Sequence, residues 1–290
     1  MLHLHAGADR VDVDDQHGGR IVRLLAGGLD RLVGAPAPPR DPTDDVQWGC
    51  FVMAPWAGRI RDATFAWEGG AARLHPRLQG HALHGLAMDR AWQVLADDPA
   101  SATLACELEG APWPFSGARV LHRLSLAPGR LELVLEVRAG PHAMPAWVGW
   151  HPCFVRPPDG DVHLRVASDQ VLVVDDETVP TGALADVTGP TDLRDGPALG
   201  GRRLDDTFVD VTWPVRIAWP DLVLEMTAHR ADTVVVFTPA HEFCVEPQTG
   251  WPDAVHQADV HDADRVGLAL LEPGETTTTS TTWTWTRPDA

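Results

Sequence analysis

From Arg130 to Ala139 the chain reads RLELVLEVRA, with Leu131, Leu133, Leu135 and Val137 on one side and Glu132, Glu136 and Arg138 on the other. A side-chain period of two belongs to a strand with one buried face, and no helix can satisfy it. The segment VLHRLSL precedes it across Ala127-Pro128-Gly129-Arg130, so the two read as a hairpin. TFAWEGGAARL reads as a second hairpin, turning at Gly69-Gly70. HLRVA, VRIAW, LVLEMTA and TVVVFT add further strands, and TTTTSTTWTWT after Pro273-Gly274 reads as a terminal strand with one wet face. No stretch carries a long helical period. Gly, Pro and Asp clusters separate the strands at short spacing, which favours an antiparallel β-sandwich over an α/β fold. The Pro-rich segment 34–45, GAPAPPRDPTDD, reads as a surface loop too near the start to bound a domain, so residues 1–290 are expected to form a single domain.

Composition removes several kinds of chemistry. The chain contains no Lys, Asn or Tyr. Lysine Schiff bases, P-loop lysines and Tyr–Lys hydride-transfer epimerases are therefore excluded, and acid–base work falls to His, Asp, Glu or Cys. A net charge of −18 argues against nucleic acid and anionic membranes as partners. There is no apolar run of membrane-spanning length and no signal-peptide pattern in MLHLHAGADRVDVDD, so the expected location is the cytoplasm. Cys50, Cys106, Cys153 and Cys244 show no CxxC spacing and read as reduced thiols. His81 and His84 are three apart, which on a strand puts them on opposite faces. No third ligand stands at metal-site spacing, so neither a metal nor a cofactor is expected.

Five stretches concentrate polar groups: APWAGRI with Arg59, LHGL with His84, GWHPCF with His151, LDDTF with Asp205 and Asp206, and VEPQTGWPDA with Glu246. His151 and Glu246 each directly precede proline. Proline drives the residue before it into the extended region, so both side chains start from pre-set backbones, as proton-transfer groups require. Trp56, Trp150 and Trp251 lie close to these groups in sequence. They read either as core residues or as flat faces for a sugar ring.

PWAGRI, LHG, GWHPCF, LDDTF and VEPQTGWPDA, in this order over residues 54–254, resemble the motifs of the aldose 1-epimerase (galactose mutarotase) family. G-x-H-P-x-F and E-P-Q-T-x-x-P-D-A are the specific matches. Three departures stand out: Cys153 where HPYF is frequent, Val255-His256 after PDA, and LAMDRAW after LHG without a second glycine. The resemblance implies an all-β fold, a large antiparallel supersandwich with an open sugar cleft and no cofactor. It implies Glu246 as general base and His151 as general acid. It further implies that Arg59, His84 and Asp205 hold the sugar, with Asp206 as the alternative to Asp205. The expected reaction interconverts the anomers of a free aldose through ring opening. The C1 hydroxyl loses a proton, the ring oxygen gains one, and the open chain recloses after rotation. One base and one acid suffice. Three other readings stay open: a hexose-6-phosphate mutarotase using Arg202-Arg203, a glycoside hydrolase using paired carboxylates, and a non-catalytic sugar-binding sandwich.

Overall fold

The computed structural model describes residues 1–34 and 46–288. The expected loop at 34–45 therefore lies, apart from Gly34, outside the described residues. Two large antiparallel sheets carry the fold. In the eight-stranded sheet the strands Gln93–Asp98, Ser101–Glu107, Arg119–Ala127, Arg130–Arg138, Thr276–Thr286, Val223–His229, Thr212–Ala218 and His163–Ala167 lie side by side in that order. In the eleven-stranded sheet the central run is Arg20–Ala26, Cys50–Met53, Gly149–Val155, Glu242–Gln248, Thr233–Phe237 and Asp205–Val209.

The alternation read from the sequence sets both sheets. Leu131, Leu133, Leu135 and Val137 are fully buried, and their neighbours in sequence face outward. Each such side chain contributes about 1.5–3 kcal/mol relative to exposure. In the terminal strand Thr279, Thr281, Trp283 and Trp285 turn inward. The buried threonines answer their hydroxyls locally: Thr279 donates to the His229 carbonyl and Thr281 to that of Thr227. The first hairpin pairs Ala127 with Arg130 as expected. The second turns one residue earlier than expected. Trp67 pairs with Gly70, which leaves Glu68 and Gly69 as the central residues, at φ 43° and 74°. A two-residue turn with both φ values positive matches the twist of the flanking strands, and this geometry overrides the Gly-Gly signal.

The strand Gly149–Val155 shows how the sandwich serves a site. Trp150 and Phe154 point into the interior, where the Trp150 indole donates to His122 Nε2 at 3.1 Å and Phe154 packs against Trp283 at 5.7 Å. Gly149, His151 and Cys153 face the other way. On the neighbouring strand, Phe243 and Val245 join the hydrophobic core, while Cys244, Glu246 and Gln248 share the face of His151.

Candidate active site

Two prolines open the sheet where the site lies. The strands Gly149–Val155 and Glu242–Gln248 pair at Gly149–Gln248 and again from Cys153–Cys244 onward. Between these points they form no ladder pair. Pro152 and Pro247 fall in this gap, and neither has an N–H to give. Proline is normally confined to edge strands, so two of them on adjacent strands in a sheet's centre mark a place where local rules yield. Counting inward from either end of the gap sets His151 opposite Glu246. His151 Nε2 lies 3.2 Å from Glu246 Oε1, with both side chains buried. Glu246 does not end its strand. The strand runs on to Gln248, two residues further on the same face, and Gln248 donates to Glu246 Oε2 at 3.2 Å.

The imidazole is held on three sides. Phe51, its partner on the strand Cys50–Met53, stacks on it at 4.6 Å between centroids and 15° between planes. Glu246 meets Nε2, and Cys153 Sγ lies 3.5 Å from Nδ1. Behind Phe51, Arg20 lies between its ring and that of Trp48, at 4.6 and 4.1 Å.

Arg59 and His84 come from loops that close over this face. The short strands Arg59–Ile60 and Ala82–Leu83 pair Arg59 with Leu83, and the His84 amide donates to the Gly58 carbonyl. The Gly58 amide in turn donates to His84 Nδ1 at 3.3 Å, which fixes the tautomer with its proton on Nε2. His84 is one of few non-glycine residues with positive φ, at 56°. Gly85 follows at φ 82°, and a Cβ there would meet the Ala54 carbonyl oxygen at 2.1 Å. The LHG motif is therefore a backbone requirement as much as a side-chain one. Asp253, the aspartate of the PDA triplet, ties the remaining motif in. Its amide donates to the Arg59 carbonyl, and its Oδ1 accepts from the Arg61 amide at 3.0 Å and from His256 Nδ1 at 2.7 Å. The Arg59 guanidinium is lightly used: Nη1 reaches the Thr178 carbonyl only at 3.5 Å, and Nε is buried without a partner.

These groups line a cavity of roughly 380 Å³, within the range of small-molecule sites. Glu246, Gln248, His151, Arg59, His84 and Asp205 all reach it. Asp205 does so because it pairs with Phe237 on the cavity side of the sheet, and Asp206, one residue on, turns away. His81 does not reach it. Its Nδ1 accepts from the Asp62 amide and its Nε2 faces Glu177 at 3.5 Å. The three tryptophans named as possible sugar platforms do not reach it either. Trp56, Trp150 and Trp251 are at most 1% exposed and belong to the core. Leu78, Leu83, Val174, Val235 and Phe237 form the apolar wall instead. Arg202, the candidate phosphate anchor, gives its guanidinium to the carbonyls of Ala198, Gly189 and Pro190, and neither it nor Arg203 lines the cavity.

Electrostatics distribute one proton over the central pair. Burial, reinforced by the Arg20 charge, pushes His151 down to about 3. Burial, and then the charge of Asp205, push Glu246 well above the carboxylate range, against the Gln248 hydrogen bond and Arg59. Both shifts place the shared proton on the carboxyl. In Glu246 loss of hydration outweighs the Gln248 hydrogen bond and the nearby Arg59 charge. Burial also holds His84 well below the usual imidazole range, aided by repulsion from His151 whenever that ring is protonated and by the charge of Arg59.

Sulfur lies directly behind this pair. Among the described residues, His151, Cys153 and Cys244 bring their donor atoms within 4.8 Å of one another. The cysteines looked scattered in the sequence, yet the ladder sets Cys153 opposite Cys244.

A two-sheet β-sandwich thus carries an imidazole–carboxyl pair on one sheet, under a small polar and apolar cavity. Known structures agree on the fold. A galactose mutarotase-like protein from Clostridium acetobutylicum superposes with a TM-score of 0.85 at 18% identity, over 99% of this chain and 95% of its own. A galactose 1-epimerase from Lactobacillus acidophilus NCFM gives 0.76 at 18% identity, over 99% and 94%. In sequence, the uncharacterized protein YphB of Escherichia coli K12 is 24% identical over 95% of each chain. The aldose 1-epimerase family model matches residues 7–284, and the chain belongs to that family.

Proposed function

We propose that the protein interconverts the α and β anomers of a free aldose by acid–base ring opening and reclosure, within a single domain. The observation that carries this reading is the 3.2 Å contact between His151 Nε2 and Glu246 Oε1 on the cavity floor. The shared proton first crosses the 3.2 Å contact to His151, and Glu246 then takes the C1 hydroxyl proton while His151 delivers one to the ring oxygen. That step leaves the proton on the carboxyl and the imidazole neutral, the arrangement that burial favours. Reclosure then uses Glu246 as acid and His151 as base. Each direction needs one of each, and proton transfer of this kind is worth about 10²–10⁴-fold per group. Arg59, the His84 Nε2–H and Asp205 bind hydroxyls, and the apolar wall takes the C–H face of the ring.

A free sugar fits the charge better than a phosphate ester. Among the described residues Arg59 is the one arginine lining the cavity, and Glu246 and Asp205 share that space with it. Sugar hydrolysis by two carboxylates would leave His151 and His84 without a task. The test is polarimetry on a panel of fresh anomers, plain and phosphorylated, with a glycoside as control. Fast mutarotation of a plain aldose is expected. Activity confined to sugar phosphates, or release of aglycone from the glycoside, would replace this reading. Binding without mutarotation would leave a sugar-binding sandwich.

A further inference from the structure

The sulfur cluster behind His151 has no task in the proposed reaction. Cys153 follows His151 by two on one strand and so shares its face. Cys244, opposite Cys153 on the next strand, precedes Glu246 by two. The sulfurs lie 3.0 Å apart, and Cys153 Sγ lies 3.5 Å from His151 Nδ1. Both cysteines are free thiols and wholly buried. We propose that His151, Cys153 and Cys244 form a site for a soft divalent cation of the Zn²⁺ or Cd²⁺ kind, and that filling it stops proton transfer at His151.

The donor set excludes hard cations, which need oxygen ligands. With ion–sulfur bonds of about 2.3 Å and an ion–nitrogen bond of about 2.0 Å, tetrahedral angles put sulfur and nitrogen about 3.5 Å apart and the two sulfurs about 3.8 Å apart. The first spacing is already present for Cys153, and Cys244 Sγ lies within 4.8 Å of the other two donor atoms. The second asks the sulfurs to separate by less than about 1 Å, beside a gap in the ladder that the two prolines already hold open. Charge also balances. Each thiol releases its proton to solvent as the ion binds, so two thiolates and one divalent ion leave the buried site neutral. The ion takes the Nδ1 lone pair. The ring then keeps its single proton on Nε2, facing Glu246, and cannot accept a second. That consequence rests on the proposed mutarotation, whereas binding of the ion does not.

The experiment titrates reduced protein with Cd²⁺ alone and follows thiolate-to-cadmium charge-transfer absorption alongside polarimetry. One ion per chain is expected, with mutarotation falling in step with occupancy and returning on chelation. Cys244→Ala should weaken Cd²⁺ binding by at least about 100-fold. Cys106→Ala, on the other sheet, should keep both absorption and inhibition. Absorption that survives Cys244→Ala would overturn the site. If that variant does not fold, X-ray absorption of the Zn²⁺-loaded wild type decides, since it must show two sulfurs and one nitrogen at bonding distance. Cd²⁺ binding without inhibition would overturn the link to His151. A wild type that binds Cd²⁺ but never mutarotates any sugar would sink the proposed function and leave the cation site standing.

Discussion

Glu246 has one oxygen against His151 and the other on Gln248, so its carboxyl is oriented before any sugar arrives. Glu246→Gln keeps the shape and removes the proton exchange. Turnover should fall by at least about 10²-fold with the circular dichroism spectrum intact. His151→Asn should do the same. The double variant should lose far less than the product of the two effects, because both groups serve one exchange. Near-full turnover in Glu246→Gln would remove the assignment. Asp205→Ala should act mainly on KM, since Asp205 reaches the cavity from a separate strand; a loss confined to kcat would contradict a binding role. Much of this convergence of side chains was legible in the sequence. His151 and Glu246 stood out by motif and by the prolines after them, and the period of two could also have marked Gln248, which shares the face of Glu246. Of the two readings left open for Trp150, core residue or sugar platform, the same period of two selects the core. Trp150 is one residue from His151, and on a strand that distance selects the opposite side.

At the level of strands and turns, local chemistry decided some features and tertiary pairing decided others. The strand Arg130–Arg138 could be drawn from its alternation. The convergence of Cys153 and Cys244 could not, because it depends on which strands become neighbours and in what register. The Gly69-Gly70 signal was right in kind and displaced by one residue. Gly85 offers the sharpest test of backbone demand. Gly85→Ala places a methyl into the Ala54 carbonyl at a positive φ, so it should cost at least about 2 kcal/mol in urea unfolding and raise KM by displacing His84. A neutral effect on both would mean that this loop adapts freely.

Across the whole molecule, one buried histidine joins the two sheets. His122 accepts from the Trp150 indole, and burial holds it down from 6.5 to about 3. Its folded pKa lies below its unfolded one. The stability it contributes is therefore complete above pH about 6.5 and lost as pH falls toward about 3, by about 5 kcal/mol in all. His122→Gln should flatten acid unfolding over that window; an unchanged acid limb would assign the transition to other groups. The proposed proton transfer by Glu246 and His151 needs no Lewis acid, so exhaustive dialysis against a chelator should not lower the rate, and a loss restored by one divalent ion would refute this. The order of strands across the site carries a further consequence. Arg59, His84, His151, Asp205 and Glu246 meet only after strands from distant parts of the chain have found their places. Such long-range closure is slow and comes late in folding. On refolding from denaturant, tryptophan fluorescence should recover before optical rotation begins to change, making catalysis a clock for the last step of assembly.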